Sequence, residues 1–238
     1  MGQGETRRLD VEGAWNVRDI GGYGTTNGRH VRWRTLFRAD SLHKLTDNDQ
    51  KALLGLGLRS VIDLRQSHEL AEFPNVFADS AYVRYYHHNV IGDEQIAYPP
   101  VIGTPADEIV DSYLNWLKHR QLHIGKVLLT LARPDALPAM YHCAGGKDRT
   151  GVISSLLLGI AGVPEETIAD DYGLTARFLW ERWQVESPPV PGPVKELDGD
   201  IKSWQDYQRL FCPPDAMRRV LDFLNREYGG FEGYARSA

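Results

Sequence analysis

Cysteine is scarce in this sequence. The 238 residues include two cysteines, Cys143 and Cys212, which lie far apart in the chain. A disulfide scaffold or a cysteine-rich metal site is therefore unsupported, and we expect a reducing compartment. Cys212 stands directly before Pro213 and Pro214. It is interpreted as a packing residue, the alternative being a resolving thiol that folds close to Cys143.

Long apolar runs and a basic charge bias are also missing. No stretch approaches the roughly 18–20 apolar residues of a membrane-spanning helix, so we expect no membrane span. Residues 1–8 carry charges with no apolar run behind them, which argues against a conventional signal peptide. We therefore expect a cytoplasmic protein. Export by a route that needs no signal peptide is left open. The net charge of −5 and the dispersed basic residues argue against nucleic acid as a partner.

Residues 142–151 carry most of the chemical information in the chain. They read His-Cys-Ala-Gly-Gly-Lys-Asp-Arg-Thr-Gly. The apolar residues 137–141 before them predict a short buried strand, and residues 152–160 after them predict a buried helix. In such an arrangement of strand, glycine-containing loop and helix, several backbone N–H groups of the loop and the first helical turn point at one place. Such a row is an anion-binding arrangement.

Cys143 and Arg149 bring reactive groups to this predicted anion site. A cysteine there is expected to ionise below the usual thiol pKa of about 8.5, because the helix dipole and nearby cations favour the thiolate. The planar guanidinium of Arg149 matches two phosphate oxygens. The sequence therefore predicts cysteine-based phosphoryl transfer from a phosphate monoester. The predicted phosphate cradle consists of Ala144, Gly145, Gly146, Lys147, Asp148 and Arg149.

Three other interpretations of the loop can be weighed. Cys143 could be a small buried hydrophobe, but Gly-Gly-Lys-Asp-Arg is a poor continuation of a core strand. A nucleotide-binding loop of the pattern GxxxxGK[ST] is disfavoured, because Asp148 occupies the Ser/Thr position and no glycine opens the motif. A rhodanese-like sulfur-transfer loop also uses a cysteine in an anion cradle, but Arg149 followed by Thr150 favours phosphate.

The loop resembles the active-site loop of the cysteine-dependent protein tyrosine phosphatases, and residues 146–151 resemble their bacterial tyrosine and lipid phosphatase branch. Further stretches are similar to that branch, so the likeness runs from about residue 14 to residue 236. These stretches are residues 16–22, 36–40, 61–65, 171–175 and 227–230, with Tyr234. Gly145 departs from the pattern, since relatives often carry alanine there. We expect a slightly looser loop with unchanged chemistry.

The residues and the resemblance together imply a cysteinyl-phosphate intermediate, which Cys143 forms and water hydrolyses, with no cofactor and no metal. Asp148 is the first candidate for the general acid that protonates the leaving group. It lies in the loop and matches the position to which the acid function of relatives is attributed. Its alternative role is to brace the loop by pairing with Arg149 or Lys147.

Two other carboxylates are candidates for the general acid. Asp63 ends a predicted strand that should point at the site, and Asp93 lies in a glycine-containing loop. Asp63 is also expected to form a structural pair with an arginine such as Arg65 or Arg38. The remaining histidines, including residues 87–88, have no spacing that compels a metal site.

The other loop residues are expected to support the chemistry. His142 is expected to fix the loop through hydrogen bonds, and Thr150 to donate a hydrogen bond to the sulfur of Cys143. Lys147 adds positive charge beyond what one monoester requires, which suggests tolerance for phosphoinositides or other polyanionic substrates. Alternatively, its ammonium group points to solvent. We expect a phosphorylated protein or a phospholipid head group as substrate, while the sequence leaves the oligomeric state unknown.

Length and pattern predict the architecture. The chain can form one substantial core, so we expect a single phosphatase domain over residues 1–238. Alternating strands and helices predict an α/β fold with a central, mostly parallel sheet, helices on its faces and the site at the carboxyl ends of the strands. Residues 16–40 predict an N-terminal β-hairpin. The resemblance implies a helical lid within residues 176–210, around the proline-rich residues 187–193, the alternative being tryptophans that pack on the core.

Functions of three classes remain open from the sequence. An active phosphatase is favoured, because Cys143, Arg149 and Thr150 are all present. It could act on phosphotyrosine, phosphoserine or phosphothreonine, a phosphoinositide or a small metabolite. A phosphate-binding pseudoenzyme would bind phosphopeptides without turnover, and a sulfurtransferase would form a persulfide at Cys143.

Overall fold

The computed structural model of the chain describes residues 6–94, 103–186 and 201–238. A five-stranded sheet lies at its centre, in the order β1-β2-β5-β3-β4. The strands are β1 (Arg18–Asp19), β2 (Leu36–Ala39), β3 (Ser60–Asp63), β4 (Arg84–His87) and β5 (Ala139–His142). The helices are α1 (Asp47–Gly55), α2 (Ser67–Glu72), α3 (Pro105–His119), α4 (Gln121–Leu131), α5 (Asp148–Ile160), α6 (Glu165–Glu186), α7 (Trp204–Phe211), α8 (Pro214–Tyr228) and α9 (Phe231–Ser237).

The sheet is mostly parallel. β2, β5, β3 and β4 run parallel to one another, whereas the short β1 pairs antiparallel with β2 and sets Arg18 opposite Arg38. The predicted α/β class with a mostly parallel sheet is therefore confirmed. The antiparallel pair of β1 and β2, with a bridge between Gly24 and His30 in its connection, is the predicted N-terminal hairpin.

The central strands of the sheet are covered on both faces, which explains why neighbouring residues such as Val61 and Ile62 of β3 are both apolar and buried. Side chains alternate between the two faces. Ile62 and Tyr141 belong to the larger hydrophobic cluster, which extends into helices α3 to α6, α8 and α9. Val61 and Met140 belong to a second cluster on the opposite face, with residues from α1 and from the N-terminal segment. The core thus holds β5, the strand that leads into the candidate site, rigidly between two layers.

The register of the sheet determines which residues meet at its carboxyl edge. His142 at the end of β5 lies between Ala39 of β2 and Asp63 of β3. His87 follows at the end of β4, opposite Asp63. Cys143 comes directly after β5, so the predicted nucleophile stands at the middle of this edge.

Helices α1 and α3 each begin with a capping box made of threonine and aspartate. Thr46 and Asp49 form one at the start of α1, and Thr104 and Asp107 form the other at the start of α3. In each, the threonine hydroxyl accepts from a backbone N–H that would otherwise lack an acceptor, while the aspartate accepts from the threonine N–H. Pro105 stands at the first position of α3, where its missing N–H costs nothing.

The predicted lid over residues 176–210 is described in part. The end of α6 and all of α7 are described, whereas the proline-rich residues 187–193 lie outside the described residues. Trp183 of α6 packs against Tyr207 and Phe211 of α7, with ring centroids 5.8 and 6.4 Å apart. The aromatic side chains of α6 and α7 therefore pack on each other, and a lid function stays a prediction. Among the helices in the described ranges, none combines the length and apolar character needed to cross a membrane.

Candidate active site

The loop between β5 and α5 is the candidate site, and Gly146 gives it its shape. Gly146 has a φ of +63°, and a Cβ there would lie 2.5 Å from the carbonyl oxygen of Ala39. Only glycine satisfies both requirements at this position. Among the described residues, no atom lies within 4 Å of a Cβ added to Gly145, so the alanine that relatives often carry would fit against them without rearrangement.

The carbonyl groups of the loop are held on its outer side. Asn16 donates from its amide nitrogen to the carbonyl oxygens of Gly145 at 3.1 Å and Gly146 at 3.0 Å. The N–H of Ser41 donates to the carbonyl oxygen of Ala144 at 3.0 Å. Across the described residues, the N–H groups of 144–147 donate no hydrogen bond. These N–H groups are the donors that an anion cradle requires.

A buried charge cluster supports the loop from below. Asp171 of α6 accepts from Arg18 Nε at 3.2 Å, from Tyr23 at 2.9 Å and from Arg38 Nη1 at 2.7 Å. Arg38 also donates to the carbonyl oxygen of Gly146 at 2.8 Å. Burial alone would raise the pKa of Asp171, but the two arginines outweigh it and hold that pKa well below its usual range. The loop therefore rests on an ionised carboxylate between two guanidinium groups.

A signal for this support is present in the sequence, although the support itself was not predicted. Asn16, Arg18, Arg38 and Asp171 all lie in the stretches that resemble the phosphatase branch, and all are buried. Polar residues placed among core residues are expected to bind one another, because an unpaired buried charge is costly. Their connection to the loop carbonyls depended on the sheet register, which the sequence did not give.

Arg149 is held by a partner that was likewise not predicted from the sequence. Glu69 of α2 binds its guanidinium through both carboxylate oxygens, with Nη2 and Oε1 2.9 Å apart and Nη1 against Oε2. Glu69 also accepts from the N–H of Gln66 at 2.8 Å. Burial raises the pKa of Glu69, but Arg149 outweighs this effect and lowers it below its usual range. Both side chains are mostly buried, so Arg149 is oriented in advance.

His142 and Asp63 form a second buried network behind the loop. His142 contacts the carbonyl oxygen of Cys143 through Nδ1 at 3.1 Å and the side chain of Asn75 through Nε2 at 2.7 Å. Asp63 lies 3.2 Å from His142 and pairs with Arg65 through Nε at 2.9 Å and Nη2 at 2.7 Å. Burial raises the pKa of Asp63, yet His142 and Arg65 together hold it well below its usual range. Asp63 is therefore buried, ionised and paired, which fits a structural role better than that of a general acid.

Asp93, the other candidate acid, is engaged elsewhere. It accepts from the N–H of Ser67 at 2.9 Å, from the Ser67 hydroxyl at 2.6 Å and from Asn89 at 2.9 Å. These bonds attach the segment after β4 to the start of α2. They also lower the pKa of Asp93, with the Ser67 hydroxyl as the largest cause.

Asp148 and Lys147 face each other at the start of α5. Lys147 Nζ lies 3.1 Å from Asp148 Oδ1, which also accepts from the Tyr113 hydroxyl at 2.6 Å. The side chain of Lys147 is 18% exposed and that of Asp148 is 38% exposed. Lys147 is thus paired rather than directed at solvent, contrary to the alternative weighed above. Burial lowers the pKa of Lys147, but Asp148 outweighs it, so the pKa is raised and the ammonium stays charged.

A cleft of about 390 Å³ opens beside this pair, between α3 and α7. Its walls are mainly apolar. The residues that line it include Ile109, Tyr113, Trp116, Lys147, Asp148 and Phe211. A substrate group attached to a phosphate in the loop has room to extend along this cleft.

The hydroxyl of Thr150 does not make its predicted bond. It is buried and, within the described parts of the chain, has no hydrogen-bond partner, so the expected bond to the sulfur of Cys143 is absent. Sulfur is a weak acceptor, and nothing else on the loop compels the hydroxyl to face it. The hydroxyl remains available as a donor beside the cradle.

Cys212 is fully buried in the same hydrophobic cluster as Cys143, and both cysteines are free thiols. Burial raises the pKa of Cys212 to about 12, which keeps it protonated and unreactive. This environment fits the interpretation of Cys212 as a packing residue. Among the described residues, no group of three or more histidine, cysteine, aspartate or glutamate side chains is arranged to hold a metal ion.

Comparisons with known proteins agree with the chemistry of this loop. A family model described as "Tyrosine phosphatase family" matches residues 9–238. A tyrosine-protein phosphatase of Nostoc commune is 31% identical over 201 residues, which cover 84% of this chain and 68% of that protein. The triple specificity protein phosphatase PtpB of Mycobacterium tuberculosis is 28% identical over 273 aligned residues, which cover 96% of this chain and 93% of PtpB.

Solved structures resemble the chain only distantly. The catalytic core of Siw14 matches 92% of this chain and 96% of its own with 16% identity and a TM-score of 0.39. TpbA of P. aeruginosa in complex with pTyr matches 90% and 94% with 14% identity and a TM-score of 0.33. Scores this low support no conclusion about function.

Proposed function

Because this chain belongs to the tyrosine phosphatase family, we propose that Cys143, Arg149 and Asp148 carry its phosphatase reaction. The protein is a phosphoric monoester hydrolase. The observation that carries the assignment is the loop itself. Its N–H groups have no acceptor among the described residues, Cys143 stands at its base, and Glu69 holds Arg149 at its rim.

The first step transfers the phosphoryl group to the enzyme. Cys143 Sγ attacks phosphorus in line, the S–P bond forms, and the P–O bond to the leaving group breaks. The leaving oxygen takes its proton from the carboxyl group of Asp148. The loop N–H groups and Arg149 bind the three equatorial oxygens of the transferring group, where charge is redistributed in the transition state.

The second step releases phosphate. A water molecule attacks phosphorus and gives a proton to Asp148, while the S–P bond breaks and the Cys143 thiolate leaves. The free hydroxyl of Thr150 is a suitable donor to the departing sulfur or to a phosphate oxygen. His142 takes no role as a base in this proposal, and its contact with the Cys143 carbonyl oxygen holds the loop.

Lys147 extends the substrate range in this proposal. PtpB is named a triple specificity phosphatase, and we propose that this chain likewise accepts phosphotyrosine, phosphoserine or phosphothreonine, and phosphoinositide substrates. The support in the structure is the charged Lys147 ammonium at the edge of the cradle, next to an open cleft. A second phosphate on an inositol ring would meet this positive charge.

A substrate panel tests the proposal. Inorganic phosphate release is measured without metal from phosphotyrosine peptides, phosphoserine peptides and phosphoinositides, for the wild type and Cys143→Ser. We expect turnover that Cys143→Ser abolishes. Lys147→Met should slow phosphoinositide turnover more than phosphotyrosine turnover, whereas Lys51→Met, on the exposed face of α1, should change neither. Phosphopeptide binding without turnover would instead indicate a binding module, and a persulfide formed from thiosulfate would indicate a sulfurtransferase.

We propose a cytoplasmic location, because the mechanism needs a reduced Cys143. Both cysteines of the chain are free thiols, as a reducing compartment allows. Fractionation of cells that express the tagged protein should recover it with cytoplasmic markers. Recovery in the medium or the membrane fraction would contradict the proposal.

A further inference from the structure

A buried pair of tyrosines connects the interior of the protein to the candidate acid. Tyr113 of α3 donates to Asp148 Oδ1 at 2.6 Å, and its hydroxyl oxygen lies 2.9 Å from that of Tyr172 of α6. Each ring is 1% exposed. Burial raises the pKa of both phenols well above their usual value, so each keeps its single proton at any physiological pH.

Proton counting fixes the direction of these bonds. A phenol has one hydrogen to donate, and an ionised carboxylate only accepts. Since Tyr113 gives its hydrogen to Asp148, the hydrogen between the two phenols must come from Tyr172. The chain therefore runs from Tyr172 to Tyr113 to Asp148 and joins α6, α3 and α5.

Packing holds both hydroxyl groups in place. The ring of Tyr113 stacks on Trp116 with centroids 5.3 Å apart and meets the edge of Tyr172 at 6.1 Å. Tyr172 lies close over Gly151, where a Cβ would come within 3.1 Å of its ring. The absence of a side chain at Gly151 thus lets Tyr172 reach the first turn of α5, where Asp148 lies.

The two oxygens of Asp148 have different surroundings. Oδ1 accepts from Tyr113 and lies 3.1 Å from Lys147 Nζ. Oδ2 accepts no hydrogen bond from any residue in the described ranges, and the side chain is partly exposed. A proton on Oδ1 would compete with two donors, whereas a proton on Oδ2 would not.

We propose that Tyr113 is a positioning residue for the acid step. Its hydrogen bond occupies Oδ1 of Asp148 and leaves Oδ2 to carry the transferable proton. This inference rests on the proposed role of Asp148. As the leaving group departs, the Oδ2–H bond breaks and the O–H bond of the leaving group forms. The hydrogen of Tyr113 stays on Tyr113, and Tyr172 orients its hydroxyl. In the second step, Oδ2 takes a proton from the attacking water.

Leaving-group dependence separates this role from a merely structural one. Values of kcat/KM are measured for Tyr113→Phe and Tyr172→Phe with p-nitrophenyl phosphate, whose leaving group needs little protonation, and with phenyl phosphate, whose leaving group needs it. Tyr113→Phe should lower kcat/KM for phenyl phosphate by roughly tenfold, because the loss of a hydrogen bond to a charged group changes a rate by about this factor. The value for p-nitrophenyl phosphate should fall much less. Tyr172→Phe should show the same preference in a weaker form.

Tyr234→Phe is the matched control. Tyr234 is equally buried, and its hydroxyl also bonds to α3, but to the carbonyl oxygen of Leu117 at 3.1 Å. It should change both substrates by the same factor. Should Tyr113→Phe fail to fold, Tyr172→Phe carries the test alone, because it leaves the bond between Tyr113 and Asp148 in place.

A double variant tests whether Tyr113 acts through Asp148. In the Asp148→Asn background, adding Tyr113→Phe should cause no further preferential loss on phenyl phosphate. Equal slowing of both substrates by Tyr113→Phe, or a full additional loss in the double variant, would overturn the inference. A wild type that turns over neither substrate would instead refute the proposed function. Asp148→Asn that slows both substrates equally would refute the acid role on which the inference rests.

Discussion

Asp171→Asn is expected to be among the most destabilising conservative changes in this protein. Asp171, Arg18 and Arg38 are all buried, and the carboxylate forms an ion pair with both guanidinium groups. Asparagine keeps the shape and two bonding groups but removes the charge. Breaking a buried ion pair by removing one partner typically costs about 3–5 kcal/mol. At roughly 2–4 °C per kcal/mol for a chain of this size, Tm should fall by about 6–20 °C.

Thermal and urea unfolding measure this loss, and Glu166→Gln is the control. Glu166 lies on the same helix, α6, and its ion pair with Arg218 is exposed, so its removal should hardly move Tm. Arg38 also binds the carbonyl oxygen of Gly146, so Asp171→Asn should weaken phosphate binding as well. A change in Tm no larger than that of the control would refute the role of the buried cluster.

The pH dependence of the same difference is a further check. The pKa of Asp171 is depressed in the folded state, so its stabilisation is complete above the unfolded value of about 3.9 and is lost as the pH falls through the lower folded value. The stability difference between wild type and Asp171→Asn should be constant from about pH 5 to pH 8 and shrink in strong acid. A difference that disappears on going from pH 6 to pH 5 would contradict this account.

Three further predictions test other parts of the site. Gly146→Ala should lower Tm and turnover, because a φ of +63° disfavours a side chain by about 1–2 kcal/mol before any clash, whereas Gly145→Ala should be tolerated in both assays. Glu69→Gln should lower kcat/KM by roughly tenfold in steady-state kinetics, because Arg149 loses its fixed orientation; an increase would mean that Glu69 competes with phosphate. Thr150→Val should leave Tm unchanged, because the hydroxyl has no partner within the described residues, yet accumulate phosphoenzyme in rapid-quench experiments; a large fall in Tm with normal turnover would reject its proposed role.

Local sequence predicted the parts of the site that are local in the chain. Residues 142–151 contain the nucleophile, the arginine and the glycines that shape the loop, so one continuous pattern was enough. The α/β class followed from alternating elements, and it is confirmed. The capping boxes at Thr46 and Thr104 are local in the same sense, since each is formed by residues three positions apart.

The parts that the sequence did not predict are contacts between distant elements. Glu69 reaches Arg149 from α2, and Tyr113 reaches Asp148 from α3. No periodic pattern marks which glutamate or tyrosine will do so, because the answer depends on how the helices pack over the sheet. Thr150 shows the opposite error. Its position beside Arg149 suggested a bond to sulfur, but proximity in sequence does not fix the direction of a hydroxyl.

Trapping of the intermediate tests the central claim most directly. The wild-type protein is mixed with p-nitrophenyl phosphate in the absence of metal, quenched rapidly in acid and digested for mass spectrometry. We predict one phosphoryl group on the peptide that contains Cys143, and none in Cys143→Ser. Phosphate release with the phosphoryl group on another residue, or undiminished release by Cys143→Ser, would contradict the assignment of Cys143 as the nucleophile.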